Sequence, residues 1–383
     1  MQIDRKICFP KDRPLRILQV SDAQDMHFVR RALPEMLNAA YDTLQPDLIV
    51  LTGDNIHGNH LDEDRLGKSH DSIEFLRRNM RKAIAYIMKP IEKRGIPVCM
   101  IFGNHDDMNA VSKQEQADMF KAYSCFFGLN SDEETLDCDT YNVPIYSSDG
   151  ERIAFNLWML DSAGKDDGTG KGFSYVKPAA IDWYKRTSAA LRAQNGGEPV
   201  PSLMFQHVPV PQTTSLFIPC DADDPDAVRW QGPDKTPYKL DTTKADGYAA
   251  EYPDVCEADF GQLDAIREAG DVLGLVFGHD HANNFTATLE GVPIIQTPGA
   301  SFRSYGTERA RGVRMFEIDE KDPQHFETYT VGYYDLVGKS LKTKWSYFMS
   351  ADEFDYKRAV IFGSAAAVAV AGTTAGLLIR HFR

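Results

Sequence analysis

The amino terminus, MQIDRKICFPKDRPLRIL, has charges every few residues and no apolar run long enough for a signal peptide. The six cysteines, at 8, 99, 125, 138, 220 and 256, form no CxxC pair and no tight framework. Reduced thiols in a cytosolic domain, not a disulfide framework, are therefore the expectation. Cys99 falls inside an apolar run and reads as a core thiol. Basic clusters are also scarce. Acidic residues outnumber basic ones, 56 to 42, for a formal charge of −14, and the only dense basic group, around 77–82, sits on a helical pattern. Nucleic acid is thus not expected as a main partner, because a duplex binder needs cations tracking the phosphate backbone. No repeat of 20–50 residues is present, and low complexity is confined to the Ala-rich carboxyl terminus.

What the chain does have is a series of polar segments, each placed directly after a short apolar run. LRILQVSD leads to Asp22 and Gln24, DLIVLTGD to Asp54, PVCMIFGNHD to Asn104 and His105, LMFQH to His207, and VLGLVFGHDH to His279 and His281. Apolar runs of this length bounded by Gly or polar clusters predict buried strands, and ligands in open α/β sheets gather at strand ends. Amphipathic spacing predicts helices over 29–43, 71–94, 112–123 and 178–194. The later runs VPIIQT, VRMFEI and HFETYTV lack intervening helices and predict a more antiparallel second sheet. The expected fold class is α/β, a two-sheet sandwich flanked by helices.

Asp, Asn and His without Cys form a borderline-hard donor set suited to Mn, Fe or Zn. A carboxylate such as Asp54 is able to bridge two ions. Two ions about 3.5–4 Å apart hold a phosphate and activate a water for in-line attack. The reading from residues alone is a phosphoesterase site lined from five strand ends.

The motif series Asp22-Ala23-Gln24, Gly53-Asp54, Gly103-Asn104-His105-Asp106, His207 and Gly278-His279-Asp280-His281 resembles the calcineurin-like metallophosphoesterases, whose pattern is Asp-x-His, Gly-Asp, Gly-Asn-His-Asp/Glu, His and Gly-His-x-His. The resemblance runs from about Leu15 to Asp319, and the segments DLIVLTGDNIHGN, LWMLDSAG and SFRSYGTERARGVRMFEI are similar to the purple-acid-phosphatase-like branch. It implies a four-layer αββα sandwich of two mixed β-sheets flanked by helices. It further implies one metal on Asp22, Asp54 and His281 and a second on Asp54, Asn104, His207 and His279. His105 would serve the leaving oxygen, with Asp106 a candidate to orient its imidazole. Asp25, Asp107 and Asp280 would be acceptors around the ligands or loop carboxylates.

Two departures stand out. The first-motif His is replaced by Gln24, a neutral and weaker donor that holds either the first metal or a water on it. Where purple acid phosphatases carry an iron-binding Tyr three positions after the second-motif Asp, this chain has His57, a ligand, substrate-facing or loop residue. Arg303 and Tyr305, in SFRSYG, fall where they could approach the site mouth, and Arg303 suits either phosphate or a salt bridge. The stretch 208–255, rich in Pro, Asp, Gly and Thr, is expected to form a rim or lid or a surface excursion, with Trp230, Tyr248 and Tyr252 as packing anchors or substrate platforms.

At the far end, 359–379 is a run of 21 uncharged residues between Lys357-Arg358 and Arg380. It is long enough to span a bilayer as a helix. The expected organisation is a catalytic region over 1–345, a juxtamembrane linker over 346–358, and a tail anchor with the catalytic part on the cytosolic side, or a soluble cytoplasmic protein if that helix does not insert. The function the resemblance implies is a phosphomonoesterase acting through a hydroxide generated at two divalent ions. A phosphodiesterase on a cyclic nucleotide or phospholipid head group, and a non-catalytic membrane-tethered scaffold, are the alternatives. The substrate would be a small phosphoester or a phosphoprotein.

Overall fold

The computed structural model describes residues 6–129, 131, 133–162, 175–228 and 236–361. Three mostly apolar and almost wholly buried strands, Leu15–Val20, Leu48–Thr52 and Val98–Ile101, lie parallel to one another, and the helices Ala32–Leu44 and Ile73–Arg94 make the crossovers between them. Continuous apolar strands are what a parallel sheet covered on both faces requires. The second crossover helix starts on Ser72, whose Oγ accepts from Phe75 N, and stops on Gly95 in the left-handed region at φ 67°. Gly312–Ile318 pairs antiparallel with Leu15–Val20, and Phe326–Gly332 closes that edge to complete a five-stranded sheet.

The second sheet has eight strands in the order Ile7–Cys8, Tyr141–Tyr146, Ile153–Met159, Ser202–Phe205, Val272–Phe277, Val292–Gln296, Asn284–Leu289 and Ala245–Tyr248. Its four central strands are parallel and its flanking hairpins antiparallel. The two sheets face each other through one core, in which the Phe205 and Phe316 rings lie 5.9 Å apart. A second core fills the space between the larger sheet and the helices Pro178–Gln194 and Gln262–Ala269. Two mixed sheets with helices outside them make the α/β sandwich. Cys99 is fully buried, and burial pushes its thiol up to about 12.

Two expectations need correction. The later apolar runs do not build a sheet of their own. Val292–Gln296 lies parallel beside Val272–Phe277 in the larger sheet, whereas Gly312–Ile318 is central in the smaller one. The near-complete burial of Gly312–Ile318 demands neighbours on both sides, and the alternating exposure of Phe326–Gly332 marks it as the edge strand. Nor is 346–358 a linker. Helix Leu341–Ser350 packs on helix Ala32–Leu44, with Ser350 Oγ accepting from Ala32 N at 3.0 Å and Tyr347 2% exposed. Arg311 is buried between the Asp352 and Glu353 carboxylates and also donates to Ser301 O and Tyr347 Oη. A buried guanidinium needs that many partners. No helix among the described residues is long and apolar enough to cross a membrane, and the expected anchor, 359–379, lies outside the described residues from 362 onward.

Tyr347→Ala is expected to destabilise the protein by about 3–5 kcal/mol, the usual cost of emptying a large aromatic site. Urea denaturation measures it, and an unchanged midpoint would show that 341–358 contributes nothing to the fold.

Candidate metal centre

Strand ends deliver the polar motifs through a backbone that most residues avoid. Asp22, Gln24, Asp54 and His279 all have positive φ, at 51°, 28°, 46° and 70°. Each such residue costs on the order of 1–3 kcal/mol, a strain that collects at functional sites. The loops are tied to each other: Asp22 N donates to Gly53 O, Gln24 N to Asp54 O, and Gly278 N to His207 O. Glycine is required where they meet. A Cβ on Gly53 would stand 2.4 Å from His207 Nδ1, and one on Gly103 2.2 Å from Asp54 Oδ1.

Two groups of donor atoms result. Asp22, Asp54 and His281 offer atoms within 4.8 Å of one another, and so do Asp54, His207 and His279. Asp54 belongs to both. All five side chains are buried. Asn104 Oδ1 lies 3.1 Å from His207 Nε2, adding a carbonyl oxygen to the second group. His207 Nδ1 is 2.8 Å from Thr52 O and His281 Nδ1 is 3.1 Å from Tyr305 O. A carbonyl accepts only from N–H, so these contacts place the neutral-ring proton on Nδ1 and leave both Nε2 lone pairs facing the cluster.

Lone pairs then face lone pairs. His207 Nε2 is 3.5 Å from Asp54 Oδ1, and His281 Nε2 is 3.4 Å from Asp22 Oδ1. Among the described residues, Asp22 Oδ1 and Gln24 Oε1 are buried with no hydrogen-bond partner. Such atoms repel one another unless a cation lies between them. Burial alone would drive the charges out, yet Asp54 and Asp22 push the His207 imidazole up to about 10, and the histidines bring Asp54 well below the usual carboxylate range. A divalent ion in that position satisfies the same charge balance, so the residues fit a metal pair.

The other expected residues separate by role. His105 borders the cluster, with Nε2 4.0 Å from Asp54 Oδ2 and Nδ1 3.2 Å from Asn59 Oδ1. Asp106 does not orient it. The Asp106 carboxylate instead accepts from the backbone N–H of Gly103, Asn55 and Ile56 and from Asn55 Nδ2, stapling the second-motif loop to the third. Burial, with Asp54 nearby, pushes it up to about 7. Gln24 reaches inward, its Nε2 3.5 Å from Asp54 Oδ2. His57 is half-buried, its ring 5.7 Å from that of His105, and burial with His60 and His105 beside it pushes its imidazole down to about 3.

Arg303 is not presented to a phosphate. Its Nε bonds Asp25 at 2.5 Å and it donates to Phe28 O, and Asp25 also caps the loop through the Met26 and Arg30 amides. Tyr305 stacks on His281 at 4.4 Å and supplies the carbonyl that holds its Nδ1. The sequence reading missed Glu251, which accepts from Tyr305 Oη and from Ala282 N and so buttresses the His281 loop from the 208–255 stretch. A buried Glu in an otherwise aperiodic loop carried no signal of its partner. Asp280 accepts from Asp254 N in the same region. Tyr252 packs against Phe217 and Tyr238, and Tyr248 against Arg309, so both are anchors. Trp230 lies outside the described residues.

Comparison with known proteins gives the family. The family profile described as calcineurin-like phosphoesterase matches residues 15–283. The Arabidopsis thaliana protein named probable inactive purple acid phosphatase 14 is 27% identical over 350 residues, 82% of this chain and 77% of that protein. Probable inactive purple acid phosphatase 29 of the same plant is 24% identical over 354 residues, 83% and 80% of the two chains. The crystal structure of a dimetal phosphatase from Danio rerio superposes with a TM-score of 0.48 at 13% identity, covering 84% of this chain and all of that one. This chain, with relatives that are purple-acid-phosphatase-like, belongs to the calcineurin-like phosphoesterase family.

Proposed function

We propose that this protein is a two-metal phosphoric ester hydrolase, acting first on monoesters. The observation that carries the reading is the position of Asp54, shared by two buried groups of converging lone-pair donors. Asp22, Asp54 and His281 would hold one divalent ion, of Mn, Fe or Zn type, and Asp54, Asn104, His207 and His279 the other. When bound, such a pair supplies Lewis acidity at the phosphoryl oxygens and at the attacking water.

The chain's own residues do the rest. Thr52 and Tyr305, through their carbonyls, fix the tautomer and ring orientation of His207 and His281. His105 stands at the rim, its side chain 29% exposed, and Asn59 takes its Nδ1–H, so passing a proton from Nε2 to the leaving alkoxide requires the imidazolium form. Burial holds the His105 imidazole below its usual value, and an arriving phosphate dianion offsets that. Asn59, which holds His105, also lines a cleft of about 320 Å³ with Asp62, Asp71, Ile73, Leu76 and Met108 among others, and no Lys or Arg is in that lining. It suits the alcohol half of a small ester or of a phosphoprotein side chain, and disfavours an alcohol bearing further anionic groups.

A non-catalytic scaffold is favoured by one observation, the neutral Gln24 in the first donor group, and the relatives' names carry the word inactive. Metal content by mass spectrometry, with hydrolysis of p-nitrophenyl phosphate and bis-p-nitrophenyl phosphate in added manganese, separates the readings. Two metals per chain with monoester turnover is expected. Metal-free, inactive protein supports the scaffold, and faster diester turnover points to a diesterase.

Two substitutions sharpen the assignment. Removal of a residue that merely supports a ligand costs about 10–100-fold in metal affinity, so Asp54→Asn should exceed that range and empty both positions. His105→Ala should leave metal content intact while kcat falls by about 10²–10⁴. Equal metal loss in both variants would contradict the separate roles. Gln24→His should tighten the first ion in a competition titration, and unchanged affinity would assign that position to His57 or water.

A further inference from the structure

We propose that the face formed by helix Leu341–Ser350 and the helical turn after it lies against an anionic lipid surface. Among the described residues thirteen large apolar side chains are exposed, and six of them fall within 341–361. Leu341, Trp345 and Met349, exposed at 87%, 58% and 38%, repeat every four residues along one stripe. The opposite stripe, Ser346, Tyr347 and Ser350, is the one buried on the domain. Tyr356, Val360 and Ile361 extend the apolar face, at 81%, 48% and 52% exposure. The two segments are joined by ring contacts: Trp345 to Phe348 at 5.6 Å, and Phe348 to Phe354 at 5.2 Å.

The charge on this face opposes that of the protein. Lys339, Lys342, Lys344 and Lys357 are all exposed here, on a chain of formal charge −14. The three acids of 352–355 are already engaged, Asp352 and Glu353 by Arg311 and Asp355 by Arg30 and Arg358. Lysines beside Trp, Tyr and aliphatic side chains are the composition of an interfacial lipid contact, in which rings and stems enter the headgroup layer and ammonium groups meet anionic lipid. The sequence points the same way, since from Ile361 it continues without a charge to Ile379. A soluble acidic partner would match the lysines and leave the apolar stripe wet. A lipid surface matches both, and the contact is one the described helices make irrespective of whether the chain beyond them inserts.

The test uses the full chain, with vesicles of phosphatidylcholine alone or with about 30% phosphatidylserine. Sedimentation of the wild type should be stronger with the anionic vesicles and weaken as salt rises. The triple variant K342E/K344E/W345A, at an unchanged melting temperature, should bind those vesicles at least about tenfold more weakly. Brominated lipid should quench wild-type tryptophan fluorescence beyond that of Trp345→Phe, which places this ring in the headgroup layer. Equal binding of variant and wild type would overturn the proposal, leaving any attachment to the sequence beyond 361. Identical quenching of wild type and Trp345→Phe would also overturn it. So would a concentration-dependent dimer abolished by Trp345→Ala, because a second copy would then be the occupant.

Discussion

Asp54 is the residue on which the arrangement of the site depends. It follows a strand buried along its whole length, turns into the left-handed region at once, and presents its carboxylate to donors from four other strand ends. Its backbone carbonyl holds Gln24 N, its Oδ1 accepts from His105 N, and its Oδ2 faces His105 and Gln24. Both sheets are therefore in register with one carboxylate. The absence of a side chain at Gly53 and Gly103 is part of the same constraint, because any Cβ there would collide with His207 or Asp54 itself. Burying that many acceptor atoms together is unfavourable unless positive charge joins them, so the energetics of the fold and the chemistry of the site are one problem.

The parts of this architecture that were legible in the sequence are those governed by local pattern. Apolar runs ending in Asp, Asn or His predicted the strand ends, and three- and four-residue spacing located helices now seen at Ala32–Leu44, Ile73–Arg94, Lys113–Lys121 and Pro178–Gln194. Long-range pairing has no such signature. Nothing local told Val292–Gln296 from Gly312–Ile318, yet they belong to different sheets. Short range misled at Asp106, where adjacency to His105 suggested an orienting contact but four donors from two loops occupy the carboxylate. Glu251 and Arg311 were invisible for the same reason, since each finds its role in residues distant along the chain.

The carboxyl-terminal helices show a second constraint. They cover the Phe302 and Tyr333 rings and bury Arg311 against two carboxylates, so 341–358 belongs to the folded body. The same helices leave an apolar, lysine-bearing stripe outward. The stripe turned to the domain is Ser346, Tyr347 and Ser350, and the outward one is Leu341, Trp345 and Met349.

Electron paramagnetic resonance of the manganese-loaded full chain tests the central claim, a carboxylate shared by two adjacent ions, most directly. At two equivalents the shared Asp54 predicts a broadened, exchange-coupled spectrum that collapses to an isolated six-line signal, or to none, in Asp54→Asn. A six-line spectrum from the wild type at full loading would mean that the ions do not share a ligand, and would contradict the account.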